Sequence, residues 1–295
     1  MTTRLTPLVL LLLAAPALAQ APGTEIFLVP VSRGGAALTL GSPVNLTTRP
    51  GYDNQPAFAP DGRALYFTSQ RDGQTDLFRI DLRNGEPAAT VRVTESPESE
   101  YSPTVIPAGT GLSAIVVERD STQRLWAFDL AGRPEGPLFE AIKPVGYHAW
   151  AGAETLYLFV LGSPATLQRA DLRTGRAAVV ARDIGRTIAP VPGGSAVSFL
   201  QRDSSGGVIT EIQLPSGQQR PIARLPEGAG EFYAWTPAGE ILAARGNTLY
   251  LRARSDEAWR QVAAFTAAGL QRISRIAVSP DGAFLALVGE EPRTP

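Results

Sequence analysis

The chain of 295 residues has no cysteine. That excludes disulfides, thiol nucleophiles and cysteine-ligated metals, so an exported protein of this size must be held by its core and by closure of the chain. Histidine occurs once, at His148. A multi-histidine metal site is thereby excluded, and a one-histidine site would need carboxylates gathered from elsewhere. Lysine also occurs once, at Lys143, so nearly all positive charge is arginine. Net charge is −1, and −2 without the N-terminal segment that carries Arg4. The basic excess or stripe of a nucleic-acid binder is missing. Beyond the first 19 residues no apolar run approaches a membrane span. Residues 1–19 themselves combine Arg4, the apolar run LVLLLLAA and the small-residue site Ala17-Leu18-Ala19. That is the pattern of a secretory signal cleaved near Gln20, too short to cross a bilayer. It predicts a periplasmic or secreted protein that is not an integral membrane protein after cleavage.

Signatures of catalysis are also scarce. There is no G-x-S-x-G elbow, and Gly193-Gly194-Ser195 lacks the second flanking glycine. No segment alternates Asp and Asn at calcium-ligand spacing. No glycine loop leads into a helix to cradle phosphate, because almost nothing in the chain reads as helix. These absences predict no catalytic residue, no metal ligand and no cofactor.

What is abundant is turn chemistry, with 29 Gly and 25 Pro. In DNQPAFAPDGRALYFTSQRDGQTDLFRIDL (53–82), three short alternating runs are separated by Pro60-Asp61-Gly62 and by the cluster around Asp72-Gly73. Alternation of period two is a half-buried strand, and Pro-Asp-Gly is a tight turn. Comparable turns begin at Pro60, Pro107, Ala151, Pro192, Pro237 and Pro280, in steps of 47, 44, 41, 45 and 43 residues. A second marker keeps the same register, in DLFRIDLRNG, RLWAFDLAGR, TLQRADLRTG and ITEIQLPSG. The apolar residue before the turn recurs as Phe58, Val105, Trp150, Trp235 and Val278, with Pro190 in its place in the fourth unit. Each unit is about four short strands, a sheet with two apolar faces that must stack on its neighbours. Sheets of this period arranged radially form a β-propeller.

The last unit supplies only two strands, ISRIAVSPDGAFLALVGEE. Residues 25–47 imitate the missing third and fourth strands, so they are expected to complete the sixth sheet and remove its free edge. The predicted fold is all-β: a six-bladed propeller of four-stranded antiparallel blades over 20–295. The blades are expected near 53–94, 101–142, 147–182, 186–225 and 231–265, with 272–289 plus 25–47 as the last.

APDGRALYFTSQRDGQTDLFRIDL, echoed by SPDGAFLALVG, resembles the WD40-like repeat of the TolB family of periplasmic six-bladed propellers. The similarity extends over nearly all the chain after residue 19 and is sharp in the first and last units. TolB carries an α/β domain before its propeller, and here the first strand follows the cleavage site within a few residues. What the resemblance implies is an exported propeller that binds a protein, peptide or other envelope component.

Candidate contact residues follow from the loops. Arg-Asp recurs after the second strand at Arg71, Arg119 and Arg202. These arginines either bond neighbouring carbonyls or form a ring that meets carboxylates of a partner. Tyr52, Tyr101, Tyr147 and Tyr233 stand at the starts of innermost strands, with Arg186 and Arg272 in the equivalent places elsewhere. Tyrosine and arginine are interface anchors, although tyrosines also pack between blades. His148 is either a packing histidine or a channel group. The expected function is a non-enzymatic scaffold that binds a protein or ligand through the loop face and channel mouth. The alternative is a hydrolase or lyase acting on a sugar or lactone. It requires two carboxylates within about 10 Å at the mouth.

Overall fold

The computed structural model describes residues 23–290 apart from 36, 84, 108, 256–257 and 267–269. The expected signal segment lies outside the described residues. Blade 1 runs outward from the centre as Asp53–Phe58, Ala64–Arg71, Gln74–Arg83 and Glu86–Arg92. Blade 2 is Ser99–Val105, Gly111–Val117, Gln123–Asp129 and Pro134–Pro137, and blade 3 is Val145–Trp150, Thr155–Val160, Thr166–Asp171 and Arg176–Arg182. Blade 4 comprises Ile184–Pro190, Ala196–Asp203, Gly206–Gln213 and Gln219–Arg224, and blade 5 Tyr233–Trp235, Ile241–Arg245, Thr248–Arg252 and Arg260–Ala264. Within each blade the described strands pair antiparallel, as the repeat predicts.

Blade 6 is made from both ends of the chain. Ile273–Val278 and Phe284–Glu290 are joined by Thr24–Gly34 and then Ala37–Leu40. Thr24–Gly34 runs antiparallel to Phe284–Glu290 from Thr24 opposite Glu290 to Pro30 opposite Phe284. The expected closure is therefore the observed one. A side-chain detail marks 24–47 as a true copy of the third and fourth strands. The Ile26 N–H donates to Thr47 Oγ1 at 2.9 Å, and the Leu77 N–H donates to Thr94 Oγ1 at 2.9 Å.

The first and last of the turns that set the repeat share their backbone geometry. Gly62 and Gly282 both have φ = 71°, which only glycine adopts without strain. Asp61 Oδ1 accepts from Arg63 N–H, and Asp281 Oδ1 from Ala283 N–H, both at 2.9 Å.

Packing follows the period-two alternation. In Ala64–Arg71 the side chains of Leu65 and Phe67 face Ile26, Leu28 and Val288 of blade 6. Ala64 and Tyr66 of the same strand face Leu112, Ala114 and Val116 of blade 2. Each blade thus contributes one face to each of two cores, and six such cores close the ring.

Candidate functional site at the channel mouth

Innermost strands start at the loop-bearing face, and five of the six shift register near that start. The shifts fall at Asn54/Ala57, Tyr101/Thr104, Val145/Tyr147, Ile184/Ile188 and Ile273/Arg275. A bulge re-aims the side chains beside it. Gln55 and Ser102, each followed by proline, take φ = 58° and 55°. Three residues before the end of each innermost run stand Gln55, Ser102, Tyr147, Thr187, Phe232 and Arg275, and all six line one central cavity of about 310 Å³. An outer cavity of about 710 Å³ opens beside it, with Tyr52, Tyr101, Leu161 and Arg202 in its wall. Gln55, Tyr147 and Arg186 line both, so the two form one funnel.

The funnel brings together seven of the ten residues named from sequence. Tyr52, Tyr101, Tyr147, Arg186 and Arg202 line its outer part, and Tyr147, Arg186, His148 and Tyr233 its inner part. Arg71, Arg119 and Arg272 line neither cavity. Arg71 stacks on Phe78 with its guanidinium 4.0 Å from the ring centroid. Arg119 pairs with Glu98 and Arg272 with Glu290, each at 3.2 Å on the surface. Arg186 and Arg202 share the carboxylate of Glu231, Arg186 at 3.8 Å.

Sequence reasoning missed Arg275, taking Arg272 as the blade 6 equivalent of the tyrosines. Arg275 reaches from blade 6 across the channel to blade 3, where it donates to the Tyr147 hydroxyl at 3.0 Å. Its guanidinium carbon lies 3.9 Å from the Phe232 ring centroid and 5.2 Å from that of Tyr147. A signal for it was present. Counting three residues back from Val278, as from Trp150 to Tyr147, lands on Arg275. Burial pushes the Tyr52 phenol up to about 12, and the nearby phenols of Tyr147 and Tyr101 add to this while Arg275 opposes it.

His148 and Ser113 have the spacing of a base and nucleophile, with Nε2 and Oγ 2.8 Å apart. Their surroundings show a packing role. Ser113 is fully buried, its Oγ accepts the Trp150 indole N–H at 2.9 Å, and it donates to the Thr104 carbonyl at 3.3 Å. With its one proton directed to Thr104, the serine accepts from Nε2–H of His148. The same construction recurs between blades 4 and 5 without histidine. Ser198 Oγ donates to the Ala189 carbonyl at 3.2 Å and accepts from Tyr233 O–H at 2.9 Å and Trp235 N–H at 2.8 Å. Tyr233 thus holds in blade 5 the place that His148 holds in blade 3. Burial holds His148 neutral, pushed down to about 3.

Buried acids lie between blades. Glu100 is fully buried, accepts from Thr94 at 3.2 Å and also bonds Ser96. Burial lifts its carboxyl to about 7, and the neighbouring Asp76 charge adds to the shift. Among the described residues, Asp183 is the one carboxylate that lines the two cavities. No group of three or more His, Cys, Asp or Glu side chains is placed to hold a metal among the described residues. No helix among them is long and apolar enough to cross a membrane.

No family model matches the chain, and no curated protein matches it. Solved structures do. A protein assigned as TolB from Agrobacterium tumefaciens is similar at TM-score 0.71 and 14% identity, over 92% of this chain and 100% of that one. A gluconolactonase from Xanthomonas campestris is similar at TM-score 0.60 and 13% identity, over 94% of this chain and 98% of that one. An oligogalacturonate lyase solved with manganese is similar at TM-score 0.53 and 15% identity, over 93% of this chain and 99% of that one. What this chain shares with them is the overall fold; its own six sheets form a TolB-like six-bladed β-propeller.

Proposed function

We propose that the protein is an exported, periplasmic scaffold that holds a protein or peptide in the funnel at its channel mouth, without catalysing a reaction. The observation that carries this reading is the funnel itself. Tyr52, Tyr101, Tyr147 and Phe159 supply aromatic surface, Leu161 supplies an exposed apolar side chain, and Arg186 and Arg202 form a charged rim. Aromatic and arginine anchors around a concavity are what protein interfaces concentrate. The similarity to a TolB structure supports the same reading. The apolar run and small-residue site in residues 1–19 support export. A hydrolase or lyase working through paired carboxylates finds Asp183 alone in the cavity walls among the described residues, and His148 in the inner wall is bonded to a buried serine.

Capture from an envelope extract tests the proposal. The chain with Tyr101→Ala and Tyr147→Ala together should retain the partner at least roughly tenfold less well than the unaltered chain. Both rings are only partly buried, so the double variant should still melt cooperatively. Val179→Asp, on the exposed outer strand of blade 3, should capture normally. Undiminished capture by the folded double variant would overturn the assignment.

A further inference from the structure

We propose that Arg275 is a carboxylate receptor, and that the partner segment entering the funnel is a peptide with an acidic side chain seated on it. This rests on the reading of the funnel as a peptide site and names what the site selects. Of the six residues at equivalent places on the innermost runs, Arg275 alone is charged, and Arg186, which also lines the central cavity, is paired with Glu231. Its guanidinium lies against Phe232 and is bonded across the channel to Tyr147. Among the described residues no carboxylate lies within salt-bridge distance of it, in contrast to Arg186 and Arg202, which share Glu231.

A guanidinium carries five N–H donors in a planar fork, and one of them is directed to the Tyr147 hydroxyl. Aromatic faces hold such a cation in place without neutralising it. A carboxylate is the group whose geometry matches the remaining fork. Charge in the funnel wall points the same way, with Arg186, Arg202 and Arg275 against Asp183. The Ser102 hydroxyl adds a second polar feature, because its Oγ is buried without a partner in the same ring. A peptide is the occupant that fits the outer part. There Ile115, Val117, Phe159 and Leu161 form an apolar wall that a free sugar acid would leave unused.

The test compares two pools of acetylated hexapeptide amides with randomised flanks, one with a central glutamate and the other with a central glutamine. The full chain should retain the glutamate pool about tenfold more strongly at physiological salt, as a charge-assisted bond to a partly desolvated arginine requires. Arg275→Gln should erase that preference, Arg275→Lys should leave only part of it, and Arg272→Gln, at the surface pair with Glu290, should leave it intact. Equal retention of the two pools by the unaltered chain overturns the proposal whether or not a variant folds. So does a preference that survives Arg275→Gln, or binding of galacturonate with no retention of the glutamate pool. If the pools are retained equally while the tyrosine double variant still loses its partner, the receptor falls and the docking reading stands.

Discussion

A chain that starts at residue 48 should fail to melt cooperatively and should expose apolar surface. The segment it lacks supplies Thr24–Gly34, of which Thr24 to Pro30 pair with Phe284–Glu290. Ile26, Phe27, Leu28 and Val29 of that strand are at most 6% exposed and fill two of the six cores. At about 1.5–3 kcal/mol for each buried large side chain, these four account for roughly 6–12 kcal/mol. The whole stability of a domain is about 5–15 kcal/mol, so their loss is comparable with all of it. The last strand would also become a free edge, open to pairing with other chains. Adding a synthetic peptide of residues 23–47 should restore a cooperative melt, followed by circular dichroism, because the missing strands pair with the rest through ordinary ladder bonds. A truncated chain that melts within a few degrees of the full one would show that the ring does not depend on its closing strands.

Ser198→Ala should cost about 2–6 kcal/mol although it deletes a single buried oxygen atom and adds no bulk. The Ser198 hydroxyl is the acceptor for two buried donors, the Tyr233 phenol at 2.9 Å and the Trp235 indole at 2.8 Å. Alanine removes the one acceptor that both donors share, and each stranded donor costs about 1–3 kcal/mol. Tyr233→Phe removes one donor and leaves the serine bonded to Trp235, so it should cost only about 1 kcal/mol. The ordering of the two variants carries the argument. If urea denaturation finds Ser198→Ala no worse than Tyr233→Phe, the shared serine does not clamp blades 4 and 5. The result bears on blades 2 and 3 as well, since Ser113 holds His148 and Trp150 in the same way. A serine that bolts two blades together through a tryptophan is a structural device in both places.

The architecture was legible because the features that make it are local and repeated. Pro60-Asp61-Gly62 and Pro280-Asp281-Gly282 dictate a turn through their own backbone chemistry, and the structure gives both the same φ at glycine. The closure could be read because Glu25 to Thr47 repeats the pattern of Asp76 to Thr94, down to the threonine that caps the third strand. The site was less legible. Where each innermost strand bulges depends on sterics around Gln55-Pro56 and Ser102-Pro103 and on contacts with the neighbouring blade, and a linear alignment carries no mark of a one- or two-residue shift. A linear alignment therefore puts Arg272 where Arg275 stands. It also sets Tyr233 beside Tyr147, whereas the structure gives Tyr233 the place of His148, two residues before the final tryptophan of its strand. Arg71 and Arg119 share a motif with Arg202, but of the three only Arg202 lines the funnel. A motif fixes the turn; the curvature of the ring decides which turns meet.

Site-specific cross-linking tests the central claim most directly, because it reports which surface meets the partner without weakening the contact. A photoreactive residue placed at Leu161 would stand in the funnel wall, and one at Val179 on the outer strand of the same blade. The two positions are similarly exposed, at 41% and 44%, so they sample solvent alike. In an envelope extract the account predicts a discrete adduct from position 161 and none from position 179. Adducts of equal yield from both positions, or an adduct from 179 alone, would contradict it.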